Sequence, residues 1–150
     1  MKYLKVLALA AFLLACSLPA VSQDRGAWRA SSSNARAITG DIDIAESKIT
    51  IAFFLFPIAQ IRALTPAELH AAFDAEPGGA GNLYRISVAA TQHLQRKNTL
   101  CGTEDTDWMA TYAIGRTLHI AFFSGANTPV FTFEGLNNSP DLCGSFTYAR

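Results

Sequence analysis

Clustered charge is what this 150-residue chain most conspicuously lacks: twelve Lys/Arg stand against twelve Asp/Glu, and no basic run survives beyond Arg96-Lys97. Nucleic-acid binding needs a concentrated cationic footprint, so that class is excluded as a leading reading. Catalytic signatures are missing too. There is no Gly-x-Ser-x-Gly elbow, no His-Glu-x-x-His, no phosphate-binding loop and no dinucleotide fingerprint, and nothing calls for a cofactor or metal. The three histidines are scattered, and of the three cysteines Cys101 and Cys143, without a nearby histidine pair, cannot fill a zinc shell. No internal repeat and no apolar stretch of about 20 residues is present, so solenoids and a permanent spanning helix are not expected.

What is present first is an address. Lys2 and Lys5 precede an apolar run from Val6 to Leu18, with Pro19 and small residues after it, so residues 1–22 read as a signal peptide. Ala20-Val21-Ser22 fits cleavage before Gln23. Leu13-Leu14-Ala15-Cys16 also fits a lipobox, which would leave Cys16 lipidated; the first reading is preferred because Leu18 to Val21 extend the apolar leader where a lipoprotein would begin a polar tether. Loss of residues 1–22 removes Lys2 and Lys5 and leaves ten basic against twelve acidic side chains, a net charge of −2. The expected location is secreted or periplasmic, with a lipid-anchored envelope protein as the alternative. In that oxidising space Cys101 and Cys143 are the remaining pair, and a disulfide between them is expected.

Residues 23–36 read as a polar lead and 37–150 as one β-rich domain. Ile38, Gly40, Ile42 and Ile44 alternate with Thr39, Asp41 and Asp43, a half-buried strand. Lys48 to Phe56 follows as its hairpin partner. Pairing Ile44 with Ile49 sets Ile42 beside Ile51, Gly40 beside Phe53 and Ile38 beside Leu55, with Phe54 and Phe56 on the opposite face. Leu64-Thr65-Pro66-Ala67-Glu68-Leu69 carries a cap, a proline at the first helical position, a capping box and a hydrophobic staple, and Pro77 to Gly81 ends the helix. Asn82 to Val88 reads as a strand and Ala89 to Arg96 as a helical turn. Asp107 to Ile114 and Thr117 to Ser124 form a second hairpin around Gly115-Arg116, with Tyr112 beside His119 and Trp108 beside Phe123. Val130 to Phe133 and Gly144 to Ala149 bring the count to about seven short strands. The expected fold is α+β, mainly β: a bent antiparallel sheet or partly closed barrel with one or two short helices and one disulfide.

Both faces of the second hairpin are apolar. Met109, Leu118, Ile120 and Phe122 suit the main core, while Trp108, Tyr112, His119 and Phe123 must be covered by the helix through Leu69 and Phe73 or must line a ligand site. Those four are the candidate binding residues. His70 reads as an exposed partner of Asp74, His93 as solvated surface, and the acidic run Gly102 to Asp107 as a turn that matches no EF-hand.

Taken together, Asn98-Thr99-Leu100-Cys101-Gly102, Trp108, Phe122-Phe123-Ser124-Gly125, and Asp141-Leu142-Cys143-Gly144 with Tyr148 resemble a family of small exported bacterial proteins with no known activity. The resemblance runs from about Ala37 to Arg150. It implies a shared fold with the two Leu-Cys-Gly segments joined, and it brings no catalytic residue. The general look is also similar to periplasmic inhibitors of lysozymes and proteases, without their functional motifs. The expected function is a non-enzymatic exported domain that binds a protein partner or a small apolar ligand. A small hydrolase built around His119 and Tyr112, and a lipid-anchored structural protein, are the alternatives.

Overall fold

The alternating segments close into a ring. The computed structural model describes residues 22–150, so the leader over 1–21 and Cys16 lie outside the described residues. Eight antiparallel strands follow one another around a closed barrel: β1 (Gly26–Ala30), β2 (Ile42–Ile44), β3 (Lys48–Ile51), β4 (Phe54–Ala63), β5 (Asn82–Val88), β6 (Thr106–Ile114), β7 (Thr117–Phe123) and β8 (Leu142–Ala149). β1 pairs with both β2 and β8, which among the described residues leaves no free sheet edge. Two short helices, α1 (Pro66–Phe73) and α2 (Phe133–Asn137), a π-helical turn (Ala35–Thr39) and a 3-10 turn (Gln95–Lys97) complete the fold.

The inward positions fill the barrel with side chains. Trp28, Ile44, Ile49, Ile51, Tyr84, Ile86, Met109, Phe122, Phe146 and Tyr148 are all buried in one cluster. One end is stopped by residues 22–25, whose Asp24 is buried and accepts hydrogen bonds from Asn82 Nδ2 (3.0 Å), Tyr84 Oη (2.8 Å), Thr111 Oγ1 (2.5 Å) and Ser22 Oγ (2.6 Å). Burial, with Asp24 beside it, pushes the Tyr84 hydroxyl pKa up. At the other end the π-helical turn sets the buried Thr39 hydroxyl 2.7 Å from that of Tyr148.

A second apolar layer lies outside the barrel. Leu69 of α1 and Leu136 of α2 pack with Leu83, Trp108, Tyr112, Phe123 and Phe131. Thr65 caps α1 by accepting from Glu68 N–H while the Glu68 carboxylate accepts from Thr65 N–H. Arg62 grips the same carboxylate through two bonds of 2.7 and 2.8 Å, which with the Thr65 backbone hydrogen bond holds its pKa down to about 2. After the helix, Gly81 lies so close to the Thr111 carbonyl and Leu69 that no Cβ fits. The glycine-rich loop therefore serves close packing against β6, where Ala80 bridges to Ala113.

Several expectations need correction. β1 falls within the segment read as a polar lead, and Ile38 belongs to the π-helical turn rather than to a strand. The run Lys48 to Phe56 is not one strand: a two-residue turn at Ala52-Phe53 divides β3 from β4, with Ile51 opposite Phe54. That turn reverses the facing of everything after it. Phe56 is buried inward and Leu55 points out, so neither Gly40–Phe53 nor Ile38–Leu55 pairs. Val130 to Phe133 is no strand, and Phe133 opens α2 instead. The helical turn placed at Ala89 to Arg96 is reduced to the 3-10 turn at Gln95–Lys97.

Candidate functional site

Cys101 and Cys143 are bonded, with Cα atoms 4.9 Å apart, tying the segment before β6 to β8. Among the described residues no helix is long and apolar enough to cross a membrane, and no group of three or more His, Cys, Asp or Glu is placed to hold a metal.

The four side chains singled out from sequence share the outer face of β6 and β7, in the expected register: Trp108 opposite Phe123 and Tyr112 opposite His119. They do not converge on one cleft. Tyr112 is buried, donates from Oη to the Glu76 carbonyl (2.9 Å), and stacks on His119 at 5.7 Å and on Phe73 of α1 at 5.9 Å. Trp108 is buried under Arg85, whose guanidinium lies 4.6 Å over the ring, and its Nε1 donates to the Gly125 carbonyl (3.0 Å). Phe123 meets Phe131 edge-on at 5.8 Å. His119 alone of the pair beneath Phe73 reaches a groove, of about 510 Å³, shared with His70, Phe73, Asp74, Phe133 and Ser145.

Chemically this groove offers little. His119 Nδ1 stands 3.4 Å from Thr147 Oγ1, beyond the distance at which a base activates a hydroxyl, and among the described residues no carboxylate orients the ring. Burial lowers the His119 pKa. A histidine that is harder to protonate folded than unfolded contributes its full stability above the unfolded value of about 6.5 and loses it as pH falls below that. Wild-type protein should therefore begin to lose stability just below about pH 6.5, before the carboxylates titrate, and His119→Gln should flatten that part of the profile. Urea midpoints measured from about pH 7.5 to about pH 5.5 span the titration and check this; equal slopes for both proteins would contradict the burial of His119.

Sequence reasoning passed over a different place. Ala52 and Phe53 both have positive φ, 49° and 71°, as a type I′ two-residue hairpin turn requires. Such turns favour Asn-Gly, because an L side chain in this conformation costs about 1–2 kcal/mol per residue. Ala52 is buried and its N–H donates to the Thr39 carbonyl (3.1 Å), so the π-helical turn holds the strained hairpin in place. Phe53 is 95% exposed, and Phe54 and Leu55 beside it are 45% and 61% exposed. Three large apolar side chains thus stand in water at one hairpin tip.

A groove of about 480 Å³ adjoins that tip, walled by Phe53, Thr50, Asp41, Asp43, Arg36 and Gln95. Gly40, at φ 62°, lies directly against the Gln95 amide, and any side chain there would displace it. Asp41 Oδ1 accepts from the Ala30 N–H (3.0 Å), which fixes its carboxylate at the groove wall. The signal in the sequence was the Phe53-Phe54-Leu55-Phe56 run, more apolar residues than one inward face can take.

The chain matches no known protein family, no curated protein and no solved structure.

Proposed function

We propose that the chain is exported and acts outside the cytoplasm as a non-enzymatic binding domain that takes a protein partner at the Phe53 hairpin tip and its groove. The carrying observation is Phe53 itself: an almost fully exposed aromatic held in a backbone conformation that costs stability. Strain kept at a tip that presents apolar surface favours contact over folding as its reason. The barrel interior is filled by its own side chains, which directs recognition to the outside. Phe53, Phe54 and Leu55 suit an apolar segment of the partner, and Asp41 with Asp43 suits polar or cationic groups flanking it. The leader sequence and the disulfide support export.

Stability and binding should separate at this turn. Replacing the exposed Phe53 with Gly, and leaving the buried Ala52 in place, should raise stability by about 1 kcal/mol, since glycine accepts positive φ without strain. The same variant should lose the partner. Thermal melts together with co-purification from native envelope and secreted fractions, with the bound proteins identified by mass spectrometry, check both halves. A variant that is more stable and retains every wild-type partner would contradict the assignment.

A further inference from the structure

Where β1 and β8 close the barrel, three arginines from distant parts of the chain come together. Ala149 pairs with Arg29 on one side and Thr117 on the other, and the Arg150 N–H donates to the Arg116 carbonyl (3.0 Å). Arg29, Arg116 and Arg150 line one groove of about 510 Å³, in which Asp41 is the single carboxylate side chain. Among the described residues none of the three forms an ion pair; those present are Arg62–Glu68, Arg85–Asp107 and His70–Asp74. Arg150 is pinned: its guanidinium lies 4.1 Å over the Trp28 ring and donates to the carbonyls of Arg25 (2.9 Å) and Gln23 (3.3 Å). Arg29 and Arg116 are exposed and make no side-chain hydrogen bond among the described residues.

Three guanidiniums gathered on one groove repel one another, and a barrel with a mature charge of −2 does not place them together for solubility. Set against Asp41 they leave two positive charges. That suits a phosphate group, which carries about −1.5 to −2 as a monoester near neutral pH and about −1 as the diester of a lipid headgroup, and whose oxygens fit the guanidinium fork. We propose that this groove binds a phosphate group, carried by a soluble ligand or by an anionic lipid headgroup. Pinned Arg150 forms the fixed wall, and Arg29 and Arg116 close on the anion. The groove meets the one beside Phe53 at Asp41 and Ile42, but its three arginines belong to it alone, and the inference does not rest on binding at the Phe53 tip.

The test uses the full mature chain with inorganic phosphate, compared with chloride at equal ionic strength, and with phosphatidylglycerol vesicles compared with phosphatidylcholine vesicles. Phosphate should raise the melting temperature where chloride does not, and R29Q/R116Q should weaken phosphate binding at least tenfold while melting like wild type in chloride. R96Q/K97Q removes two exposed charges outside the groove, should bind as wild type does, and controls for net charge. Sedimentation with phosphatidylglycerol but not phosphatidylcholine, lost in R29Q/R116Q, assigns a lipid headgroup; a phosphate response without vesicle binding assigns a soluble ligand. If neither phosphate nor phosphatidylglycerol distinguishes wild type from R29Q/R116Q, the proposal is overturned.

Discussion

Asp24→Ala should lower the unfolding free energy by about 3–5 kcal/mol, because it removes the acceptor that satisfies several buried donors at once. Asn82 Nδ2, Tyr84 Oη and Thr111 Oγ1 all point at one carboxylate oxygen, and the residue is 1% exposed. Each donor left unpaired costs about 1–3 kcal/mol of desolvation that nothing offsets. A chain beginning at Gln23 loses the Ser22 hydroxyl but keeps these three bonds, so the expectation holds for the processed protein. Domains of this size have about 5–15 kcal/mol in total, so the substitution should consume a large share of it. Urea unfolding gives the value directly. A loss under about 0.5 kcal/mol, less than a single net hydrogen bond, would mean that residues 22–25 do not stop the barrel end and that the interior is open to a ligand there.

Loss of the disulfide should have a comparable effect. Cys101 and Cys143 are 42 residues apart, and releasing a loop of that length costs about 4 kcal/mol in the chain-entropy account. For a domain of this size that corresponds to a fall in melting temperature of about 10–20 °C. Cys101→Ser with Cys143→Ser, or reduction of the wild type, should both produce it. The bond holds the loop between β5 and β6 to β8, whose other neighbours are β7 and β1, so its loss should loosen the end of the barrel that carries the π-helical turn. Unchanged melts on reduction, or two free thiols in native unreduced protein, would contradict this.

The parts that were legible from sequence are those governed by local pattern. Ile42 does lie opposite Ile51 and Tyr112 opposite His119, because a slip of one residue would have turned each apolar set to the wrong face. Thr65, Pro66 and Glu68 announced α1 for an equally local reason. What escaped was decided at a distance or against the usual turn chemistry. β1 has one large inward side chain, Trp28, and becomes a strand because β2 and β8 both need a partner to close the ring. Ala52-Phe53 has no glycine or asparagine to mark a turn, so the apolar run reads straight through it, and the candidate site was hidden at the point where the local rule fails. Asp24 gave no warning either, since its partners at 82, 84 and 111 lie far along the chain. The aromatic face of β6 and β7 was located correctly, yet α1 and α2 lie over it, and sequence does not say how completely two short helices cover a sheet.

Binding at the hairpin tip is tested most directly by placing a photo-crosslinking phenylalanine analogue at position 53 in the protein expressed in its native cells. The side chain is replaced by another aromatic, the turn is retained, and the crosslink captures the bound protein whatever its identity. A control at Ser87, exposed on β5, reports chance encounters. A discrete protein adduct at position 53 and none at position 87 is the predicted result. No adduct at position 53, or the same adducts from both positions, would contradict the account.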